Sequence, residues 1–264
     1  DLNKLLRGNI YELSGSVISL GENYREWHFW MIPLAMFTGA RQQELAQLLL
    51  DDIKYNENLK HWYIEISAYG DDGKRIKNKA SNRDIPVHPQ LKTIGFIDFV
   101  KTNKATGKKH LFPELWRNAK GQLLSEADAG KVNSWFNNAK NGYDKNGNQA
   151  YSYGYAYRSG IQQDDKEGRR KVFHSFRHTF IDALRAKGLN SEHIGPLTGH
   201  DTKAGIIYNV YGNDVPLSVK IETMNKLVYE DVPFDHLDFC TYQKLKPNRK
   251  PLRKPRKRSR KTEE

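Results

Sequence analysis

The chain is 264 residues long and 38% hydrophobic, which is enough to bury a core in one large domain or two modest ones. Its net charge of +12 is unevenly placed, because residues 244–264 hold eleven Lys and Arg against two Glu, which leaves about +3 for the rest. The single cysteine excludes an intrachain disulfide, and no apolar run reaches the roughly eighteen residues of a membrane helix. We therefore expect a soluble intracellular protein without membrane association. The absence of an initial Met suggests a piece of a longer chain.

Residues 1–22 are predicted to form a lead-in segment, a possible linker from a preceding domain, and the main folded domain is predicted to span residues 23–243. Its first helix should run from about Asn23 to Phe37 with one apolar side. Pro33 lies inside that stretch and should kink or split the helix, because proline lacks the N–H that the helix needs.

The sequence Thr-Gly-Ala-Arg, which ends at Arg41, breaks this helix and starts another. Glu44, Leu45 and Leu48 then recur at helical spacing. A cation at a helix N-terminus opposes the helix dipole, so Arg41 makes sense there if an anion binds beside it. An ordinary exposed arginine is the open alternative.

Between residues 60 and 88, the spacing of hydrophobic residues changes from the helical period to the alternation typical of strands. His61–Tyr69 alternates in hydrophobicity, and Arg83–Pro86 belongs to another strand, with turn residues at Gly70–Gly73. We predict a small antiparallel sheet of two or three strands. Helices are expected again at residues 91–100 and 125–140. The Gly-, Asn- and Tyr-rich segment 141–158 is predicted to be a long loop. The chain is thus mainly α with a small antiparallel β-sheet, an α+β fold.

The span from His174 to Gly212 is rich in groups that suit a phosphodiester substrate: four histidines, two arginines and two tyrosines. His174 and Arg177 are three residues apart, so a helix places them on one face. A second short helix should run from Ser191 to the Thr-Gly-His that ends at His200. Cations of this kind neutralise non-bridging phosphate oxygens while a phenol attacks phosphorus.

The chain closes with a predicted helix at residues 216–229 and a basic tail at residues 244–264. The tail is interrupted by prolines and nearly free of hydrophobic residues, so it should be disordered in isolation. We expect it to bind nucleic acid or to act as a localisation signal, and a purely solubilising tail is the alternative. The basic residues expected to contact DNA in this tail are Lys244, Lys246, Arg249 and Lys250.

Four separated motifs give the chain a family resemblance. Thr38–Arg41 with Glu44 and Leu45, then His-Ser-Phe-Arg-His from His174, then Leu-Thr-Gly-His ending at His200, and finally Tyr211, resemble the catalytic domain of tyrosine recombinases, the phage-integrase family. Each motif is weak alone, but the four occur in the family's order across most of the chain. The resemblance implies that family's catalytic-domain fold.

The resemblance also implies roles for particular residues. Arg41 and Arg177 would clamp the scissile phosphate, and Tyr211 would be the nucleophile, with Tyr208 as an alternative. His174 would be a base or hydrogen-bond partner, and His200 would donate to a non-bridging oxygen. The lysine that protonates the leaving 5′-hydroxyl would be Lys77, with Lys79 as the alternative, because Arg83 begins a matching strand. Glu44 would support the arginine site. Lys79 and Arg83 are also expected to bind DNA.

The implied function is site-specific recombination of double-stranded DNA, which integrates or excises a mobile element through a covalent 3′-phosphotyrosine. It requires no metal and no other cofactor. A homo-oligomer on DNA, from dimer to tetramer, and a cytoplasmic location in a bacterial or phage-host cell, at the nucleoid when bound to DNA, follow from the same resemblance. Three alternatives remain: a type IB topoisomerase-like enzyme, a catalytically silent DNA-binding relative, and a metal-dependent nuclease that uses His174, His178 and His200.

Overall fold

The computed structural model describes residues 1–8, 10–11, 25–67, 73–77, 81–137, 140–143, 149–152, 154–162, 164, 167–168, 170–200 and 215–245. The described helices are α1 (Leu2–Leu6), α2 (Glu26–Thr38), α3 (Gln42–Ala46), α4 (Pro89–Thr93), α5 (Phe96–Ala105), α6 (Gly130–Asn137), α7 (Tyr155–Arg158), α8 (Ser175–Ala186), α9 (Ser191–Thr198), α10 (Leu217–Asn225) and α11 (Phe239–Leu245). The described 3₁₀ turns are Leu50–Asp52, which leads from α3 toward the first strand, and Pro113–Trp116, which lies between α5 and α6. None of the helices in these ranges is both long enough and apolar enough to cross a bilayer.

The main sheet has three antiparallel strands in the order β1 (Ile53–Asn56), β2 (His61–Ile66) and β3 (Arg83–Pro86). Ile64 of β2 lies opposite Ile53 on one side and Ile85 on the other, and all three side chains are buried. One face of the sheet therefore joins the core, as expected for an antiparallel sheet with an apolar side. The predicted class, mainly α with a small antiparallel sheet, is confirmed.

Helix α2 lies at the centre of the core. Every residue from Trp27 to Thr38 is buried, so this helix is covered by neighbours on all sides rather than on one apolar stripe. Pro33 does not split it, contrary to one of the predicted outcomes. Proline deprives the carbonyl of Phe29 of its helical donor, and the buried hydroxyl of Tyr11 donates to that oxygen instead at 2.7 Å. The carbonyl of Phe29 thus receives its hydrogen bond from a residue outside the helix.

The first residues of the chain share this core. Leu5, Leu6, Ile10 and Tyr11 are buried, and the hydroxyl of Tyr155 donates to the carbonyl of Leu5 at 2.6 Å. The division of the chain into three parts stays a prediction, but the described residues at the start of the predicted lead-in segment are packed into the folded body.

Three predicted elements differ from the structure. The helix predicted over residues 91–100 is two helices, α4 and α5, because Gly95 between them adopts a left-handed backbone with φ 99°. The helix predicted over residues 125–140 begins only at Gly130. The segment predicted to be a loop, 141–158, contains most of a hairpin of β4 (Lys140–Tyr143) and β5 (Gln149–Ser152), followed by α7.

His88 follows strand β3 and bonds to Leu227, which comes shortly after the end of α10. Its Nδ1 accepts from the backbone N–H of Gln90 at 3.0 Å, so its Nε2 carries the proton that reaches the carbonyl of Leu227 at 3.1 Å. The ring also stacks on Phe37 at 4.6 Å. Burial lowers the pKa of His88 to about 4, which keeps the neutral ring in place at neutral pH.

Candidate active site

Gly39 makes the close approach of α2 and α8 possible. It ends α2 in a left-handed conformation with φ 59°, and a Cβ placed on it would lie 2.5 Å from the ring of Phe180 on α8. Its carbonyl oxygen accepts from Nη1 of Arg177 at 2.7 Å. The same glycine therefore brings the two helices together and holds one of the two predicted catalytic arginines.

Glu44 gathers two further cations around one buried carboxylate. Its side chain is 2% exposed. One oxygen accepts from Nη1 of Arg41 at 2.8 Å and from Nη1 of Arg83 at 3.2 Å. The other accepts from the backbone N–H of Arg41 and from Nη2 of Arg83, each at 2.8 Å. Glu44 thus fixes both the backbone and the side chain of Arg41 at the start of α3.

Arg83 does not lie where the sequence analysis expects it. The sequence predicts a contact with DNA, whereas the side chain is 2% exposed and its donors are engaged inside the protein. Besides its bonds to Glu44, Nε donates to the carbonyl of Leu197 at 2.7 Å and Nη1 to the carbonyl of Ser81 at 2.8 Å. This placement does not agree with DNA contact, because at least four of its five N–H donors are already bonded to protein oxygens.

The C-terminal end of α9 is the point where three guanidiniums meet. The carbonyl of Leu197 accepts from Arg83, that of Thr198 from Arg177, and that of Gly199 from Arg41. Gly199 ends the helix in a left-handed conformation with φ 66°, which exposes these successive carbonyls. The negative end of a helix dipole favours cations, so the end of α9 orders the three arginines in space.

We define the arginine cluster as Arg41, Arg83 and Arg177. Its positive charge exceeds the negative charge of Glu44, its one carboxylate partner among the described residues. Burial alone would raise the pKa of Glu44, but the two arginines bonded to it outweigh burial and hold the pKa below its usual value. Burial, together with repulsion from Arg41 and Arg83, lowers the pKa of Arg177 to about 10. All three arginines remain charged at neutral pH, and their excess positive charge favours an anion.

The two predicted catalytic arginines also keep donors available. Arg41 is partly exposed, with 21% of its side chain accessible, whereas Arg177 is buried. Among the described residues, neither arginine uses its Nε–H in a hydrogen bond. Bidentate recognition of phosphate requires such donors.

His200 is brought to the same site as a neutral ring. The hydroxyl of Thr198 donates to the carbonyl of Ile194 at 2.9 Å, so it accepts from Nδ1 of His200 at 3.0 Å. This leaves Nε2 unprotonated, where it accepts from Nη2 of Arg177 at 3.2 Å. Burial and the nearby arginines lower the pKa of His200 to about 4, in agreement with this tautomer. In this arrangement His200 holds Arg177, whereas the sequence analysis expects it to donate to the phosphate.

His174 lies at the start of α8, where it is the N-cap residue. Its ring is exposed and contacts His178 one turn later, with 5.3 Å between ring centroids. Burial, His178 and the arginines at positions 177 and 41 lower its pKa. The lowered pKa favours the uncharged ring at neutral pH, which is the form that has a nitrogen free to accept a proton.

Lys77 lies in the connection between β2 and β3, and its side chain is exposed. The connection is fixed before Lys77 by a buried ion pair between Lys74 and Asp52, at 2.7 Å, and by Gln47, whose amide bonds to both backbone groups of Arg75. After Lys77 it is fixed by Ser81, whose hydroxyl accepts from Nη1 of Arg41 at 3.2 Å. Four residues span at most about 14 Å, so the backbone of Lys77 lies within that distance of Ser81, the residue that bonds to Arg41.

Several predicted site residues lie outside the described residues: Lys79, Tyr208, Tyr211, Lys246, Arg249 and Lys250. Their roles stay predictions. Lys244 is described at the end of α11, where its side chain is exposed. The structure therefore brings together Arg41, Arg177 and His200, with Glu44 beneath Arg41.

The described residues give no support to the metal-nuclease alternative. Within them, no three His, Cys, Asp or Glu side chains converge in a way that could hold a metal ion. The arginine cluster has only one carboxylate partner there, Glu44, and both of its oxygens are occupied by arginines. Two-metal sites instead need several carboxylates directed at one point.

Comparisons with known proteins give two similar solved structures. No family model matches the sequence, and no curated protein matches it. The integrase from mycobacterium phage Brujita has 15% sequence identity and a TM-score of 0.46, with 90% of this chain and 62% of the integrase chain covered. XerA recombinase has 15% identity and a TM-score of 0.42, with 90% and 60% covered. The chain therefore spans about three fifths of the length of each of these proteins.

The buried carboxylate provides a direct test of this geometry. We expect Glu44→Gln to destabilise the fold by about 3–5 kcal/mol, because it leaves the guanidinium of Arg83 buried without a charge partner. Denaturant unfolding followed by circular dichroism measures this loss.

Glu65→Gln is the matched control for Glu44→Gln. Glu65 pairs with Lys54 at 2.9 Å, but these two side chains are 36% and 42% exposed. Its loss should cost about 1 kcal/mol or less. Equal effects of the two substitutions would contradict the assignment of Glu44 as the buried centre of the arginine cluster.

Proposed function

We propose that this chain is the catalytic part of a tyrosine recombinase that cuts and rejoins double-stranded DNA. The observation that carries the proposal is the arrangement of Arg41 and Arg177, which are held by backbone carbonyls and Glu44 while their Nε–H groups have no partner among the described residues. A phosphodiester has two non-bridging oxygens, and two guanidiniums neutralise the charge that builds up on them during attack at phosphorus.

The proposed reaction is a transesterification. The phenol oxygen of Tyr211 attacks phosphorus, the bond from phosphorus to the 5′ oxygen breaks, and a 3′-phosphotyrosine forms. Lys77 gives its proton to the departing 5′ oxygen, and the phenol proton passes to a base, for which His174 is the candidate. Reversal with a different 5′-hydroxyl joins new strands without loss of the bond energy. The choice between Tyr211 and Tyr208 rests on the Gly that follows Tyr211 and on the family resemblance.

The fixed position of the two arginines supports an electrostatic mechanism. Donors that are fixed before the reaction need no reorganisation when charge develops, and they act more strongly away from water. Glu44 and the end of α9 supply that fixation for Arg41, and the carbonyls of Gly39 and Thr198 supply it for Arg177. The same chemistry serves a type IB topoisomerase, which would relax supercoiled DNA without a specific site.

The proposed partner is duplex DNA, and the proposed biological role is integration or excision of a mobile element by an oligomer of two to four copies. The basic residues at 244–264 would add contacts to the phosphate backbone. A catalytically silent relative would bind DNA in the same way without forming a covalent bond.

Covalent trapping on DNA of randomised sequence tests the proposal and finds the target site in the same experiment. We expect the chain to form an SDS-resistant adduct with a pool of nicked duplexes, since the nick lets the 5′ fragment leave. Sequencing of the trapped DNA identifies the site. Arg41→Ala and Arg177→Ala should each lower adduct formation by at least about a hundredfold, because each removes charge stabilisation of the transition state.

The trapped complex also identifies the nucleophile. A nucleotide remnant should map to Tyr211, and Tyr211→Phe should bind DNA without forming the adduct, while Tyr208→Phe still reacts. Adduct formation by either arginine variant within about tenfold of the parent would contradict the catalytic role of that arginine. A parent chain that binds DNA and never becomes linked to it would favour the silent relative.

Lys77 is tested on the DNA recovered from that pool. A 5′-bridging phosphorothiolate at the cleaved position should restore cleavage by Lys77→Ala, because sulfur leaves without protonation. On ordinary DNA the same variant should be slower by about a hundredfold or more. Lys79→Ala serves as the matched control, and rescue of that variant alone would transfer the role to Lys79.

A further inference from the structure

The buried guanidinium of Arg83 belongs to the arginine cluster but has no part in the proposed reaction. It is enclosed by protein, and at least four of its N–H donors are directed at Glu44, Ser81 and Leu197. Three segments that are far apart in sequence meet at this one side chain: α3, β3 and the end of α9. A residue of this kind acts on the site through its neighbours.

Arg83 limits the number of hydrogen bonds that the side chain of Arg41 can form with the carboxylate of Glu44. Arg83 bonds to both oxygens of Glu44, at 3.2 and 2.8 Å. Arg41 consequently reaches only one of those oxygens with its side chain, through Nη1, and its Nε–H stays without a partner among the described residues. A carboxylate and a guanidinium otherwise form a two-bond pair, in which two parallel N–H groups are consumed.

Arg83 also neutralises the charge that would compete with a substrate. Glu44 is anionic, and its pKa is held below the usual range, after the opposing effect of burial, mainly by Arg83. Without that partner, the negative charge of Glu44 would lie against Arg41 alone, beneath the position at which a phosphate binds. Charges in a buried site interact strongly, so the loss would weaken an anion at Arg41.

We propose that Arg83 is a positioning residue that keeps Arg41 available to a phosphate by occupying and neutralising Glu44. The inference rests on the proposed function, since it assumes that Arg41 binds an anion. It assigns Arg83 no contact with the substrate. It also explains why a full positive charge is buried in the protein interior, where an apolar side chain of similar size would pack without the need for a charged partner.

Side-chain NMR of the ¹⁵N-labelled chain, titrated with inorganic phosphate, tests this at the level of single arginines. The Nε–H signals of Arg41 and Arg177 are assigned from their loss in single Arg→Lys variants. In the parent, both signals should shift with phosphate. In Arg83→Met, the apparent Kd that the two signals report should rise by at least about tenfold, the effect of one lost charge-assisted interaction, because both arginines bind the same anion.

A double variant separates charge from packing. Arg83→Met combined with Glu44→Gln removes both charges of the pair, so it should fold more readily than either single variant. It should also return the Kd at Arg41 to within about threefold of the parent, because the competing negative charge is gone while the amide that replaces the carboxylate keeps an oxygen that accepts from Arg41. If Arg83→Met does not fold, the double variant alone still tests the inference, because a Kd about tenfold or more above that of the parent would contradict it. Val100→Ala, a change at a fully buried core position on α5, is the control for a general loss of stability and should leave both arginine signals responsive.

The outcomes distinguish the inference from the function on which it rests. A parent chain whose arginine signals both ignore phosphate would defeat the proposed anion site, and the role of Arg83 with it. A responsive parent together with an unchanged Kd at Arg41 in Arg83→Met would defeat the inference alone. Loss of both signals in an Arg83→Met variant that is folded, or no recovery in the double variant, would reduce Arg83 to a residue of the fold and overturn the proposal.

Discussion

The end of helix α9 is the constraint on which the candidate site depends. Three successive backbone carbonyls, at residues 197–199, each accept from a different arginine, and the arginines come from three separate parts of the chain. Those carbonyls are available because Gly199 adopts a left-handed conformation that ends the helix. Cations at the negative end of a helix are favoured by the dipole, and this compensates in part for the mutual repulsion of three guanidiniums.

The carboxylate of Glu44 completes this arrangement. It offsets one of the three charges, so the cluster retains an excess of positive charge next to a partly exposed edge of Arg41. Removal of a single partner from such a buried network costs several times more than the loss of a surface ion pair. The same network therefore links fold stability to the proposed chemistry, since Glu44 and the end of α9, which order the arginines, also hold α3, β3 and α9 together.

Much of the site could be predicted from the sequence because its parts are local. The histidine and arginine three residues apart predict a helix here, and α8 runs from Ser175 to Ala186 with Arg177 on its buried side, although His174 is the exposed N-cap residue and does not share that face. The end of α9 at Gly199 follows from the same kind of local signal, a glycine after a short helix. Helix α2 and strands β2 and β3 also lie close to their predicted positions, because their apolar patterns are strong.

The parts that escaped prediction depend on long-range contacts or lack a periodic pattern. Arg83 looks like an exposed basic residue at a strand end, and only the approach of Leu197, 114 residues later, shows that it is buried. The hydrogen bond from Tyr11 to the carbonyl of Phe29 is also long-range, because Tyr11 lies far before Pro33 in the sequence. The β4–β5 hairpin escapes prediction because its Gly- and Asn-rich residues carry no alternation of apolar and polar side chains.

A crystal structure of the chain soaked in tungstate tests the central claim, which is that Arg41 and Arg177 form one anion site at the end of α9. Tungsten scatters anomalously, so its position is found independently of the surrounding density. The account predicts a tungstate ion within hydrogen-bond distance, about 2.7–3.2 Å, of Nε of both arginines, with Arg83 still bonded to Glu44 beneath it. Well-diffracting soaked crystals with tungstate bound elsewhere and none between these two side chains would contradict it.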